Sequence, residues 1–200
     1  SDSPLVPGDG ALSSLPEECT PEELDRMCEQ AEVRLRAGDR AAALGILSEA
    51  IGRAPERAEL YARRARVSRL HRQLEAAAED LERAERLEPA LPSVMRERGL
   101  LALERQQVQA ALRDLEASLA YEEDAEALAA RGYCRMSMQQ PRGALADFDR
   151  VLELEPRALL ARCWRAQARQ ETGDLEGAQA DFDTAVRQRS RAATAYHHRA

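Results

Sequence analysis

The segment ARRARVSRLHRQLEAAAEDLERAERLEP, residues 62–89, aligns without gaps with AARGYCRMSMQQPRGALADFDRVLELEP, residues 129–156. Three aligned pairs fix the alignment: Ala77 with Ala144, Leu81 with Phe148, and Pro89 with Pro156. Self-similarity at a fixed period is the sequence signature of a repeat architecture, in which neighbouring units bury one another's apolar faces. This repeat therefore decides the fold before any local propensity is considered.

The same alignment extends through most of the chain, at an interval of 34 residues that shortens to 33 between Gly99 and Gly132. A first small residue recurs at Ala31, Ala65, Gly99, Gly132, Ala166 and Ala200. A second recurs at Ala43, Ala77, Ala111, Ala144 and Ala178, followed four residues later by Leu47, Leu81, Leu115, Phe148 and Phe182. Small residues let two helices approach closely, and the large residue fills the space beside the crossing.

This pattern resembles the tetratricopeptide repeat family from about residue 21 to residue 200. The resemblance implies an all-α fold, a right-handed α-solenoid of antiparallel helical hairpins. Abundant Ala, Leu, Glu and Arg favour helices, and Ile46 and Ile51 are the only isoleucines. We predict hairpins over residues 24–57, 58–91, 92–124, 125–158 and 159–192, and a truncated sixth hairpin over 193–200.

The ends of the repeat array also carry signals. Thr20 and Glu23 form a capping box with Pro21 at the first helical position, which predicts that the first helix begins there. Residues 1–20 are rich in Pro, Ser and Gly and are expected to be a flexible or docked tail. Because Ala200 is another small packing residue, we expect the parent protein to continue.

An Arg precedes the first small residue in units two to five, and an Asp follows the second small residue by three positions. Unit one lacks both, having Gln30 and Ile46 instead. In an antiparallel hairpin these two positions face each other. The alternative is chance pairing on a charged surface. We predict four ion pairs at the hairpin interface: Arg64–Asp80, Arg98–Asp114, Arg131–Asp147 and Arg165–Asp181.

The sequence carries no signal for catalysis, a cofactor or a metal. It has no lysine, no phosphate-binding glycine loop and no nucleophile motif, and its carboxylates have the spacing of a solvated helical surface. His197 and His198 lack a further ligand at metal-binding spacing. The four cysteines show no CxxC spacing, which indicates reduced thiols in a cytoplasmic, reducing compartment. No apolar run approaches the roughly 20 residues of a membrane span.

The resemblance further implies that the first helix of each hairpin lines a concave groove where a partner segment binds. The corresponding positions are Arg63, Arg66, Arg69, Arg96, Leu100, Leu103, Tyr133, Met136, Cys163, Trp164 and Gln167. A basic patch followed by an apolar and aromatic stretch suits a protein or peptide segment with acidic and apolar residues. Two alternatives remain: the arginines pair internally with Glu59, Glu79 or Glu82, and Tyr133 and Trp164 fill the gap between hairpins.

We therefore expect a non-catalytic protein-interaction scaffold or adaptor. An alternative is a regulatory or targeting module of an enzyme or larger assembly whose other domains lie outside these residues. A third is nucleic-acid binding through the arginine stripe, which the net charge of -7 argues against. The Lys and Asn clamp that some tetratricopeptide co-chaperones use for chaperone C-terminal carboxylates is not matched. Its positions begin here with Cys28, Glu32, Arg63, Ser93 and Glu97.

Overall fold

A computed structural model of the chain describes the backbone of residues 20–197 and the side chains of residues 20–189. Within this range the chain is helical, without strands, which confirms the all-α prediction. The predicted tail lies outside the described residues except for Thr20. The ten helices are α1 (Pro21–Arg36), α2 (Arg40–Arg53), α3 (Ala58–Leu70), α4 (Leu74–Leu87), α5 (Pro92–Glu104), α6 (Val108–Leu119), α7 (Ala125–Ser137), α8 (Pro141–Leu154), α9 (Leu159–Thr172) and α10 (Leu175–His197).

The helices form successive antiparallel hairpins, α1–α2 through α9–α10, and each helix packs against the next one along the chain. Odd-numbered helices of neighbouring hairpins also touch: α3 contacts α5, α5 contacts α7, and α7 contacts α9. No comparable contact joins even-numbered helices over residues 20–197. The odd-numbered helices therefore lie closer together and form the inner, concave side of the stack.

Glycine at two of the helix crossings is required by close approach. A Cβ added at Gly132 would lie 2.7 Å from Cε1 of Phe148, and one added at Gly99 would lie 2.8 Å from Cγ of Leu115. Phe148 and Leu115 are both completely buried, so neither can move aside easily. The recurring small and large residues thus meet in the third and fourth hairpins, as the repeat predicted, whereas Phe182 of the fifth hairpin is 37% exposed.

The turn inside each hairpin contains a residue with positive φ. In the first and last hairpins this residue is Gly38 (φ 81°) or Gly173 (φ 91°). In the middle three it is Arg72 (φ 65°), Gln106 (φ 61°) or Gln139 (φ 59°), where a side chain is strained. The backbone therefore keeps one turn geometry even where the sequence does not supply glycine.

Capping side chains fix the starts of α1 and α7, whereas nothing ends α10 near its predicted boundary. The Thr20 capping box is present, with Thr20 Oγ1 accepting from the backbone N of Glu23 at 3.2 Å. Glu123 replaces the terminal proline of other units, and Asp124 caps α7 instead, accepting from Ala127 N at 2.7 Å. At Ser190 no proline interrupts the backbone hydrogen bonds, and α10 continues to residue 197. The boundary predicted at residue 193 is therefore not a helix break in this structure.

All four predicted Arg–Asp pairs are present, each joining residues 16 positions apart across a hairpin. The shortest nitrogen–oxygen distances are 2.6 Å for Arg64–Asp80, 2.8 Å for Arg98–Asp114, 2.6 Å for Arg131–Asp147 and 2.6 Å for Arg165–Asp181. The aspartates lie between the helices; the side chain of Asp147 is only 2% exposed. The pairs are thus part of the hairpin interface and are not chance contacts on the outer surface.

Candidate partner-binding groove

A groove opens on the concave side where α1, α3 and α5 lie next to one another. It encloses a cavity of about 460 Å³. Charged side chains contribute much of its lining: Glu32, Arg36, Glu59, Arg63, Arg66, Arg96 and Glu122. Apolar side chains complete the walls: Ala31, Leu35, Leu47, Ala62, Val67, Leu91 and Pro92. A groove of this kind can hold an extended segment by both ionic and apolar contacts.

Three of the arginines predicted to bind a partner line this groove, and each has a carboxylate neighbour. Arg63 Nε lies 3.0 Å from Glu59 Oε1. Arg66 Nη1 donates to Glu32 Oε2 at 3.3 Å. Arg96 Nε donates to Oε1 of Glu97 at 3.3 Å, and Arg96 Nη1 lies 3.5 Å from Asp124 Oδ2. The groove therefore has mixed charge. Glu59 is one of the three glutamates that the sequence offered as internal partners of these arginines, and it pairs with Arg63.

Arg69, by contrast, is not available to a partner. Its Nε donates to Glu97 Oε2 at 3.1 Å, its Nη1 to Glu104 Oε1 at 3.2 Å, and its Nη2 to Glu126 Oε1 at 3.0 Å. These carboxylates come from α5 and α7, so one buried guanidinium ties three consecutive hairpins together. The prediction that Arg69 contacts a partner is wrong in this structure, because its Nε, Nη1 and Nη2 each donate to a carboxylate inside the stack.

Glu97 forms the centre of this buried cluster, and its side chain is only 1% exposed. Burial raises the pKa of Glu97, while the neighbouring Arg69 and Arg96 lower it. A carboxylate without water is tolerated only if it is paired, and both of its oxygens accept from an arginine. No sequence pattern marked Glu97 as a structural ion-pair residue.

The predicted aliphatic contacts also lie mostly inside the stack. Leu100 and Met136 are buried, and Leu103 packs against the cluster that contains Leu100 and Leu115. Met136 belongs to the cluster around Phe148. Leu100 and Met136 are therefore not available to a partner, contrary to prediction, because their side chains face the neighbouring hairpin.

The aromatic end of the concave side is more open. The rings of Tyr133 on α7 and Trp164 on α9 meet edge to face, with centroids 4.9 Å apart and planes inclined by 74°. Trp164 packs partly against the core, so it does fill space between hairpins, whereas Tyr133 remains 36% exposed. Cys163 is half-buried. Exposed Gln167 donates to Glu171 Oε1 at 3.3 Å.

Leu160 is a surface residue that the sequence analysis missed. It lies near the start of α9, one helical turn before Cys163, and is 74% exposed. The residues on either side of it, Leu159 and Ala161, are half-buried and buried. All three are apolar, so the sequence alone did not show that only Leu160 is exposed. Leu160 and Tyr133 are the exposed large apolar side chains of the odd-numbered helices α9 and α7.

Clustered metal ligands and membrane-spanning helices are both missing from the part of the chain that the structure describes. Over residues 20–197 no group of three or more His, Cys, Asp and Glu side chains is placed to hold a metal. Every helix in the same range is too short or too polar to span a lipid bilayer. Burial raises the pKa of Cys134 to about 11, which leaves its thiol protonated and unreactive at neutral pH. His198 lies outside the described residues.

Comparison with known proteins gives a likeness of fold alone. No protein-family profile matches the chain, and no curated protein matches its sequence. PilF from Pseudomonas aeruginosa is 19% identical, with a TM-score of 0.70 over 84% of this chain and 77% of PilF. PilW, a type IV pilus biogenesis factor, is 18% identical, with a TM-score of 0.71 over 86% of this chain and 80% of PilW.

A third similar structure is that of a protein described as a tetratricopeptide-repeat (TPR) protein. YrrB, a TPR protein with an unusual peptide-binding site, is 20% identical, with a TM-score of 0.60 over 86% of this chain and 90% of YrrB. In each of these comparisons the likeness covers more than four fifths of this chain. The chain therefore has the tetratricopeptide-repeat fold, a right-handed α-solenoid of antiparallel helical hairpins.

Proposed function

We propose that the chain is a non-catalytic protein-interaction scaffold that holds a segment of a partner protein along its concave side. The groove of about 460 Å³ between α1, α3 and α5 is the observation that carries this proposal. An inner surface with open walls can take an extended or helical segment, which is how stacked repeats use their curvature. The peptide-binding site named for YrrB agrees with such a role.

The concave side has two chemically different zones. The groove presents Arg63, Arg66 and Arg96 among carboxylates, and the far end presents Tyr133 and Leu160. Aromatic and arginine side chains are the commonest energetic anchors of interfaces, so each zone supplies one kind of anchor. A partner segment with a polar, acidic part and an apolar part matches this order.

The paired arginines weigh against nucleic acid as the partner. Phosphate binding depends on uncompensated positive charge, and each of Arg63, Arg66, Arg69 and Arg96 has a carboxylate within hydrogen-bonding or ion-pairing distance. A protein segment instead gains from apolar walls and from a small number of directed hydrogen bonds. The mixed lining of the groove supplies both.

The proposal can be tested with peptides selected from a random display library on the purified chain. Affinities measured by fluorescence anisotropy are then compared for the wild type, Tyr133→Ala and Leu160→Ser. The matched control is Leu154→Ser, which replaces an exposed leucine on the even-numbered helix α8. We expect the two concave-side variants to weaken binding by about tenfold or more, the range for an interface anchor, and the control to bind normally.

Two outcomes would contradict the proposal. One is the recovery of no peptide above background. The other is that the selected peptides bind Tyr133→Ala and Leu160→Ser as tightly as the wild type. Thermal unfolding of each variant separates loss of binding from loss of folding. Leu160→Ser should leave the melting temperature nearly unchanged, whereas Tyr133→Ala also removes the edge-to-face contact with Trp164 and should lower it slightly.

A further inference from the structure

One face of α10, called the α10 face below, presents four exposed side chains at helical spacing: Gln179, Phe182, Asp183 and Val186. Phe182 is 37% exposed, whereas Phe148, its counterpart in the fourth hairpin, is completely buried. Val186 is 65% exposed, whereas its counterpart Leu152 is buried. The fifth hairpin therefore exposes apolar side chains that the fourth hairpin covers.

The helix α9 covers the corresponding face of α8. Its Ala161 and Ala168 belong to the same apolar cluster as Phe148 and Leu152. The two alanines lie seven residues apart, which is about two helical turns, so they share one side of α9. Small residues at these positions let a helix approach a large ring closely. Because Phe182 repeats Phe148, the α10 face fits a helix with small residues at the same spacing.

An ion pair accompanies the apolar contact between α8 and α9. Arg165, which lies between the two alanines of α9, donates from Nη1 to Asp149 Oδ1 at 2.8 Å. Asp183 is the counterpart of Asp149 on α10, and it is exposed. It accepts from Gln179 Nε2 at 2.8 Å. A carboxylate has room for further donors, so an arginine of a docked helix can reach Asp183 as Arg165 reaches Asp149.

The backbone of α10 runs past the point where the other even-numbered helices end. Helices α2, α4 and α8 have 14 residues and α6 has 12, and after each of them the chain folds back so that the next helix packs against it. α10 has 23 residues and continues to His197. The fold-back that covers α8 therefore does not occur at the corresponding point of α10, and within residues 20–197 this face stays open.

The first helix of a second copy is a poor match for the α10 face. At the position of Ala161, α1 has Arg26, which is exposed. The other odd-numbered helices have buried apolar residues there: Leu60, Val94 and Ala127. Packing α1 on α10 would place the charge of Arg26 over the apolar centre of the face, which is unfavourable without a partner. A different protein is therefore the better source of a docked helix.

We propose that the α10 face docks an amphipathic helix of another protein, in the way that α9 packs on α8. This helix has two small apolar residues seven positions apart, which cover Phe182 and Val186. An arginine four residues after the first of them pairs with Asp183. Gln179 stands where α8 has the half-buried Leu145, so the apolar contact is narrower here than inside the stack. An apolar centre with a polar rim is typical of interfaces between separable proteins.

The probe is a synthetic peptide with the sequence of α9, residues 158–172, blocked at both ends and carrying Cys163→Ser. It is titrated to low millimolar concentration into the ¹⁵N-labelled chain while the backbone amide signals are followed by NMR. We expect saturable shifts confined to α10, centred on Phe182 and Val186. A peptide of the same composition in scrambled order should cause none.

Variants test the two halves of the contact separately. Val186→Ser should weaken binding by about fivefold or more, because a valine side chain is no longer buried in the contact. Val33→Ser, the matched control, replaces a similarly exposed valine on α1 and should bind as the wild type does. Asp183→Arg should weaken binding of the α9 peptide, and a peptide carrying Arg165→Glu should bind this variant better than it binds the wild type. Neither valine variant should change the melting temperature much.

The inference would be overturned by the absence of saturable shifts, by equal binding of the scrambled peptide, by shifts centred on α1, α3 and α5, or by a charge reversal that changes nothing. Sedimentation of the chain alone adds one more outcome. Self-association that Val186→Ser abolishes would make a second copy the occupant. Failure of the proposed function looks different, because Tyr133→Ala and Leu160→Ser alter the concave side and leave the α10 face unchanged.

Discussion

The Arg64–Asp80 pair offers a direct measurement of what the repeated ion pair contributes to stability. The side chain of Asp80 is 9% exposed and that of Arg64 is 27% exposed, and two short hydrogen bonds join them. Arg64→Ala leaves a carboxylate with almost no access to water. We expect a loss of about 3 kcal/mol, the lower end for breaking a buried pair. Asp80→Ala leaves an arginine that can still reach water, and we expect a loss of about 2 kcal/mol.

The double variant should cost about as much as Arg64→Ala alone, since neither charge is then left unpaired. The coupling energy of the double-mutant cycle would be about 2 kcal/mol. Urea unfolding followed by circular dichroism at 222 nm gives each free energy of unfolding. The slope with urea must stay constant across the variants, because a stack of repeats can lose two-state behaviour.

Arg150 and Glu123 supply a control with the same geometry but without burial. Their two nitrogen–oxygen distances are both 2.6 Å, yet both side chains are 45% exposed. Solvent screening should make the coupling of this pair much smaller than that of Arg64 with Asp80. Simple additivity of Arg64→Ala and Asp80→Ala, or equal coupling in the buried and exposed pairs, would refute the view that burial gives the repeated pair its strength.

Three further predictions concern single positions. Gly132→Ala should destabilise the chain by about 1 kcal/mol in urea unfolding, because the clash with Phe148 outweighs the better helix propensity of alanine, and Phe148→Leu should restore stability. Gln106→Gly should raise the melting temperature by relieving positive φ, worth about 0.5 kcal/mol after the unfolded-state entropy is counted, whereas Gln107→Gly should lower it. At pH 8, iodoacetamide should modify Cys163 well before Cys134, whose raised pKa of about 11 keeps the thiol protonated, as mass spectrometry with and without urea would show; equal rates in the folded chain would contradict this.

The sequence predicted the features that repeat. Small residues at Gly99 and Gly132, and the Arg–Asp pairs, occur at the same place in several units, so each unit serves as an independent observation of one structural requirement. The Arg–Asp positions are related by the folding of a single hairpin, which is a local event. For this reason the contact between Arg64 and Asp80 could be deduced without knowing how the hairpins stack.

The features that do not repeat could not be predicted in this way. Arg69 reaches carboxylates of two later hairpins, at Glu97, Glu104 and Glu126, and such contacts depend on the rotation between units. The sequence placed Arg69 on the concave side but could not tell whether its guanidinium faced a partner or the next hairpin. The same ambiguity applied to Leu100, which the helical spacing alone could not assign to surface or core.

The position two residues before the first small residue shows where the repeat leaves room for function. It is occupied by Glu29, Arg63, Glu97, Ala130 and Trp164 in successive units. Residues at this one position line the groove, form the buried ion cluster or meet Tyr133 edge to face. Because the small, large, Arg and Asp positions already satisfy the packing of each hairpin, this position can vary in size and charge without changing the fold. The same position thus serves the groove in one unit, at Arg63, and the contact between hairpins in another, at Glu97.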